Sequence, residues 1–95
     1  MGWIEEVLEK YDRHTAPVDF SLHALNEKGL LPADLDRAVE AVRMGRIIPE
    51  KSDPLRRTVG FRLYDGKRNI TYTVIAGLHE NFFRVVTVIK EKGRM

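Results

Sequence analysis

The chain contains no cysteine among its 95 residues. Disulfide bonds and thiolate ligands are therefore excluded, and a reducing cytoplasm is the compartment that fits best. No apolar run approaches the roughly 20 residues that a membrane-spanning helix needs. The first residues include Glu5 and Glu6, whereas a signal peptide begins with basic residues. We therefore expect a cytoplasmic protein without a membrane partner.

Motifs that hold a cofactor are also missing. No glycine-rich loop joins a strand to a helix, and strands do not alternate with helices, which excludes a nucleotide-binding fold of the parallel type. The histidines His14, His23 and His79 lie in three separate segments, and none has a second ligand at helix or turn spacing. The sequence therefore predicts neither a metal site nor a cofactor.

The charged residues are distributed unevenly over what we expect to be a single domain, residues 1–95. Residues 1–20 carry five acids and two bases, whereas residues 50–95 carry five acids and ten bases, a net charge of +5. A basic half of this kind is typical of a protein with a phosphate-bearing or acidic partner. Surface lysines and arginines also serve simply to solvate a small protein, so both interpretations stay open.

Alternating apolar and polar residues predict three antiparallel strands in the second half of the chain. Val59, Phe61 and Leu63 occupy every second position, which is the period of a strand with one buried face. Gly66 lies between the first two strands and indicates a hairpin with a two- or four-residue loop. The strands are expected at 58–64, 69–76 and 82–90, after a short edge strand at 47–48 and a loop at 50–57. In the last strand, the expected alternation places Phe83, Val85, Thr87 and Ile89 on one side and Phe82, Arg84, Val86, Val88 and Lys90 on the other.

Three helices are predicted before these strands. The second helix begins at Ser21 as N-cap and closes at Gly29, and the third begins with Pro32 in its first turn and stops at Gly45. We therefore expect an α+β fold with three N-terminal helices packed on one face of a three- to four-stranded antiparallel sheet. The first helix, expected over 3–13, has an apolar stripe formed by Trp3, Ile4, Val7, Leu8 and Tyr11.

The polar side of the strands is the strongest candidate for a functional site. RNA cleavage without a metal needs a base, an acid and fixed cations where charge develops on phosphorus. Arginine suits the last role because its planar fork matches phosphate oxygens and stays protonated. In the alternative interpretation, Arg62 and Arg84 have no functional role and only face solvent. The expected polar face contains Arg62, Tyr64, Thr71, Thr73, Arg84 and Lys90, with Arg56 and Arg57 at its entrance and Lys67 and Arg68 at the turn.

A helix-turn-helix is a further interpretation of the first half of the chain. The lengths of segments 22–28 and 33–44 suit such a motif, and the hairpin around Gly66 could serve as a wing. Asp34 and Asp36, however, lie at the end of the second helix that would enter the DNA groove. Their charge would meet phosphates there, which argues against DNA binding.

Three short motifs resemble a widespread family of small prokaryotic domains of unknown function, which is usually grouped with the RelE/ParE and BrnT-type toxins of toxin–antitoxin pairs. They are residues 21–24 (Ser-Leu-His-Ala), 45–48 (Gly-Arg-Ile-Ile) and 86–88 (Val-Thr-Val). The resemblance covers roughly residues 20–90 and leaves residues 1–14 as an added N-terminal helix. It implies a RelE-like arrangement, metal-independent endoribonuclease activity and neutralisation by an antitoxin protein. It also matches His23 to the histidine that follows the helix cap in the family.

The leading hypothesis is therefore a toxin-like domain that binds or cleaves RNA. In that hypothesis Arg62 and Arg84 hold phosphate, and His23 or Tyr64 transfers protons. Residues expected to contact RNA elsewhere are Arg56, Arg57, Lys67, Arg68 and Lys90. His23 has a second interpretation as a structural histidine bonded to backbone. Two alternatives remain: a non-catalytic protein-interaction module that forms a homodimer through the Trp3 helix or binds an acidic partner, and a winged-helix DNA binder.

Overall fold

The computed structural model describes residues 2–10, 12–27 and 29–94 and contains three helices and one sheet. The five strands lie in the order β1-β5-β4-β3-β2. The α+β class is thus confirmed, but the sheet has more strands than expected, and one neighbouring pair, β1 and β5, is parallel. The elements are α1 (Trp3–Lys10), β1 (Val18–Phe20), α2 (Leu22–Leu25), α3 (Pro32–Met44), β2 (Arg46–Asp53), β3 (Thr58–Asp65), β4 (Ile70–Leu78) and β5 (Phe83–Lys92).

The two sides of β3 and β4 are those that the alternation predicts. Phe61 lies opposite Val74 and Val59 lies opposite Ala76, and all four side chains are fully buried. Helix α3 packs on β3 and β4, and α2 packs on β5. The sheet therefore has a helix-covered face, where the core lies, and a second face that we call the open face. The core comprises Ile4, Ala24, Ala38, Ala41, Val42, Val59, Phe61, Tyr72, Val74, Ala76, Leu78, Phe83, Val85 and Val88.

Strand β5 departs from the predicted alternation because it contains a β-bulge. Thr87 pairs with Ile75 but Val85 pairs with Ala76, so Val86 is the extra residue. Beyond the bulge the side chains exchange faces: Val88 is buried in the core opposite Val74. The expected sidedness was wrong from this point on. Lys90 consequently lies on the helix-covered face, and Thr87 and Ile89 lie on the open face.

Strand β2 is also longer than the predicted pair of residues, because it continues beyond Pro49 to Asp53. Pro49 is tolerated because β2 is an edge strand. The ladder is irregular between Ile48 and Asp53. The Ser52 side chain supplies hydrogen bonds in place of missing ladder bonds: its hydroxyl donates to the Ile48 carbonyl (2.9 Å) and accepts from the Gly60 N–H (3.0 Å). Residues 50–53 therefore belong to the sheet and not to the expected loop.

The described part of the N-terminal segment lies on the helix-covered side, although Thr71 and Thr73 on the open face are also buried. Ile4 is buried in the core, and Trp3 and Leu8 pack against it. The Arg13 side chain donates to three carbonyls at the end of α3 (2.7 to 3.3 Å) and lies 4.9 Å from the centre of the Phe61 ring. Helix α1 ends at Lys10, and residues 12 and 13 are not helical, so the expected helix over 3–13 was too long. The other members of the predicted stripe, the side chain of Val7 and residue Tyr11, lie outside the described part.

The predicted caps at Ser21, Pro32 and Gly45 are confirmed, but α2 ends at Leu25 with Asn26 as its C-cap, so the expectation that Gly29 closes this helix was wrong. The Ser21 hydroxyl accepts from the Ala24 N–H at 3.1 Å, although α2 is a single turn of four residues. Gly29 adopts a left-handed φ of +82°, but it lies in the connection to α3 and not at the end of α2. Pro32 lies in the first turn of α3, and Gly45 caps its end by donating its N–H to the Ala41 carbonyl. Helices α2 and α3 thus begin and end at defined residues.

Candidate nucleic-acid interface

Two arginines face each other on the open face. Arg46 of β2 lies directly opposite Arg62 of β3, and Arg62 in turn lies opposite Thr73 of β4. The Arg62 Nε donates to the Thr73 hydroxyl at 3.3 Å. Within residues 2–10, 12–27 and 29–94, neither arginine forms an ion pair with an acid. Like charges directly opposite each other in a ladder repel. An anion bound between the two arginines would reduce this repulsion, so the pair is a candidate anion site.

Tyr64 lies beside this arginine pair, two residues along β3 and therefore on the same face. Its hydroxyl donates to the Asn69 side-chain oxygen at 2.8 Å. The Arg94 guanidinium lies 5.2 Å from the centre of the Tyr64 ring. The open face thus brings together Arg62 and Tyr64 as the sequence predicted, and it adds Arg46 and Arg94.

Arg84 also lies on the open face but belongs to a separate cluster. It pairs in register with Gly77, which is four residues along β4 from Thr73, a distance of roughly 13 Å at the usual strand rise. Arg84 makes two hydrogen bonds to Asp19, at 3.0 and 3.1 Å. These bonds lower the pKa of Asp19 and raise the pKa of Arg84. Arg62 and Arg84 therefore do not form one phosphate clamp, and Arg84 already has an acidic partner.

His23 lies on the other side of the sheet. It belongs to α2, which packs on β5 from the helix-covered face. Its side chain is 77% exposed, and its Nε2 lies 3.9 Å from the Glu27 carboxylate. The sheet separates His23 from Arg62 and Tyr64, so the structure does not bring these three predicted catalytic residues together.

The cations of the two hairpin turns lie at opposite ends of the sheet. Arg56 and Arg57 close the β2–β3 turn beside Thr58, whereas Lys67 and Arg68 lie in the four-residue β3–β4 turn. Arg56 is largely exposed and lies 3.7 Å from the Asp53 carboxylate. Lys67 is also exposed. The predicted RNA-contacting residues therefore divide into two groups.

Arg68 and Lys90 bind a buried carboxylate of their own chain. Asp34 of α3 is fully buried and accepts from the Tyr72 hydroxyl (2.6 Å), Lys90 Nζ (2.8 Å) and Arg68 Nη1 (3.2 Å). Burial alone would raise the pKa of Asp34, but the hydrogen bonds from Lys90, Tyr72 and the Leu31 N–H lower it to about 2. Burial and the bond to Asp34 raise the pKa of Tyr72 to about 12. Lys90 is thus removed from the predicted RNA surface.

A groove of about 650 Å³ lies next to this network, between α3 and the β3–β4 turn. Its charges are of both signs: Arg37 pairs with Glu40, and Asp65 accepts from the backbone of the turn. Three cations and two acids line the groove, and two of the cations, Arg37 and Arg68, already pair with acids of the chain, so the groove offers an anion little free charge. The Arg46 and Arg62 pair therefore remains the stronger candidate for a phosphate site.

Sequence reasoning missed Arg46 as a site residue. It begins β2, and only the register with β3 shows that it faces Arg62. The alternation in β3 was visible, but the first residue of an unpredicted long edge strand carries no such signal. Its position after Gly45 was the only indication available, because Gly45 marks the end of α3.

Metal-ligating side chains do not come together in groups of three anywhere in the described part of the chain. The helices described there are too short or too polar to cross a membrane. Comparison of the chain with protein-family models, with curated proteins and with solved structures found no match. Function must therefore be inferred from the arrangement of the residues themselves.

Proposed function

We propose that this protein binds RNA through the open face of its sheet, as a toxin-like domain of the kind that its short motifs resemble. The observation that carries the proposal is the facing pair Arg46 and Arg62, two guanidinium groups without an acidic partner in the described chain. A phosphate between them would relieve their mutual repulsion and accept hydrogen bonds from both.

The surroundings of the pair support the same ligand. Thr73 fixes the Arg62 Nε, which leaves the terminal nitrogens of the fork for a phosphate. Tyr64 and Arg94 extend the surface in one direction with a ring and a further cation. Cations beside aromatic rings form the usual surface for single-stranded nucleic acid.

Binding can be tested by fluorescence polarisation with a labelled single-stranded RNA between 50 and 200 mM salt. We expect the double variant R46Q/R62Q to bind at least about 10-fold more weakly and to show a smaller salt dependence, because each lost phosphate contact reduces the salt slope by about 0.7. The matched control is R37Q, which removes an arginine from α3 on the other side of the sheet. Equal affinity of R46Q/R62Q and R37Q would refute the proposal.

Cleavage is the second part of the proposal. As the 2′-oxygen bonds to phosphorus and the bond from phosphorus to the 5′-oxygen breaks, Tyr64 would give its proton to the leaving 5′-oxygen and the 2′-hydroxyl proton would pass to water, while Arg62 and Arg46 stabilise charge on phosphorus. His23 is outside this mechanism because it lies across the sheet. We expect cleavage of labelled RNA in the presence of EDTA, reduced by about 10²-fold or more in Y64F, with unchanged binding. Cleavage by Y64F at the original rate would remove Tyr64 from the mechanism.

A protein-interaction module is the second candidate function. Leu22 and Leu25 of α2 are 78% and 49% exposed although they lie three residues apart on one short helix. Such leucines suit a protein partner, whether an antitoxin or a second copy. The expected homodimer through α1 has less support, because Ile4 is buried in its own core. Light scattering should give the mass of a dimer for the original protein and the mass of a monomer for L22S/L25S. A monomer mass for the original protein at all concentrations would exclude self-association.

A further inference from the structure

The connection between β4 and β5 holds two stacked rings. The rings of His79 and Phe82 are nearly parallel, with an angle of 3° and centroids 4.6 Å apart. The His79 N–H donates to the Phe82 carbonyl at 3.0 Å, which closes the turn and fixes the stack. The Arg84 guanidinium also lies over the Phe82 ring, at 5.2 Å from its centre. His79 is exposed to solvent although Phe82 covers one face of its ring.

The His79 ring lies on the open face of the sheet. A Cβ atom built on Gly77 would be 3.6 Å from the His79 Nε2. Gly77 has its place on the open face, two residues beyond Ile75 along β4 and opposite Arg84. The glycine thus leaves room for the imidazole to lie against the sheet. The stacked rings are on the same surface as the Arg46 and Arg62 pair, at the other end of it.

Arg57 adjoins the stack and has an unusual backbone. Its carbonyl accepts from the Leu78 N–H at 2.8 Å, which places Arg57 next to the residue that precedes His79. Its φ is +55°, in the left-handed region. The corresponding last residue of the β3–β4 turn is Asn69, with φ of +54°. Asparagine tolerates this conformation, whereas arginine adopts it at a cost. Strained residues of this kind cluster at binding sites.

We propose that His79 and Phe82 form a stacking subsite for an unpaired RNA base, and that Arg57 binds the phosphate attached to that base. The inference rests on the proposed RNA binding and extends it to the bases. Histidine and phenylalanine rings are the platforms on which proteins stack unpaired bases. Arg56, in the same turn, lies 3.7 Å from the Asp53 carboxylate, so the subsite uses Arg57 as its cation.

The two ends of the open face can be reached by one strand of RNA. Arg84, beside the stack, lies roughly 13 Å along β4 from the Arg62 row, which corresponds to about four nucleotides at a stacked rise of ~3.4 Å. One segment would therefore place a phosphate between Arg46 and Arg62 and a base on His79. The required length is a few unpaired nucleotides and not a duplex.

The experiment compares a base-bearing oligonucleotide with an abasic one of equal length, in polarisation assays of H79A and H79F. Loss of one stacked base should weaken binding of the base-bearing RNA by about 5- to 150-fold in H79A. Binding of the abasic strand should not change. H79F keeps a ring and should bind both strands as the original protein does.

The other outcomes separate this inference from the proposed function. R46Q/R62Q should weaken both oligonucleotides alike, because it removes phosphate contacts. R57G should also weaken binding of both oligonucleotides. Its unfolding midpoint should stay the same or rise, because glycine adopts a positive φ without steric cost. If H79A bound both strands normally, the stacking subsite would be refuted and RNA binding would stand. If the original protein bound neither strand, both proposals would fall.

Discussion

Replacing Asp34 with asparagine should destabilise the fold through one buried carboxylate. Asp34 is fully buried and accepts hydrogen bonds from Tyr72, Lys90 and Arg68 and from the Leu31 N–H. These contacts join the start of α3 to the β3–β4 turn, to the start of β4 and to β5. Asparagine has the same shape but no charge, so both cations would lose their counter-ion while the packing is kept.

The magnitude follows from the pKa of the carboxylate. Folding lowers the pKa of Asp34 from 3.8 to about 2, which corresponds to about 2 kcal/mol of stability at neutral pH. Removing one member of a buried ion pair costs about 3–5 kcal/mol in other proteins. Because Lys90 and Arg68 are 27% and 32% exposed, water can solvate them in part. We therefore expect a loss of about 2–3 kcal/mol, or roughly 10–20 °C in Tm.

The pH dependence gives the sharper measurement. A depressed pKa in the folded state means that the contribution of Asp34 is present above pH 4 and is lost as the pH falls towards 2. Guanidinium unfolding followed by circular dichroism should show that D34N lacks this loss, so its stability difference from the original protein shrinks in acid. D36N, an exposed aspartate on the same helix, is the control. Equal unfolding curves for D34N and D36N, or a difference that is constant with pH, would refute the reasoning.

Three further substitutions test other contacts by the same unfolding assay. Arg13→Met removes the donor to three carbonyls at the end of α3 and should cost about 1–3 kcal/mol; a midpoint within error of the original would show that α1 is not held there. Ser21→Ala removes the cap of α2, a bond to the Ala24 N–H, and should cost about 0.5–2 kcal/mol, with Ser21→Thr as the variant that restores it. Gly60→Ala would place a Cβ only 2.6 Å from the Lys51 Cβ and should cost about 1–3 kcal/mol; a stable G60A would mean that β2 can move away.

The central strands were predictable because their signal is local. In β3 and β4 every second residue is apolar, and Phe61, Val74 and Tyr72 are buried as that period requires. The caps at Ser21 and Gly45 were also visible, because each depends on a few neighbouring residues, whereas α2 ends at Leu25 and not at the expected Gly29. Most features that depend on the residues of a single segment were therefore predicted correctly.

The remaining features depend on pairing between distant segments. Strand β1 has three residues, too few for an alternation, and its formation depends on pairing between Val18 and Phe83. The bulge at Val86 adds one residue to an otherwise regular run of β-branched side chains, and a single such residue reverses the faces of all that follow. The facing of Arg46 and Arg62 is likewise a property of the register.

The bulge and the strand pairing also determine how much of the positive charge in residues 50–95 is available to a ligand. Counted from the sequence, residues 50–95 offer a net charge of +5. In the fold, Lys90 and Arg68 neutralise Asp34, and Arg84 binds Asp19, so acids from the first half of the chain take up three of these cations. A bulge-free β5 would place Lys90 on the open face and leave Asp34 with one cation fewer. Positive charge available to a ligand is therefore decided by register, and the facing arginines Arg46 and Arg62, which have no acidic partner among the described residues, are where a phosphate gains most.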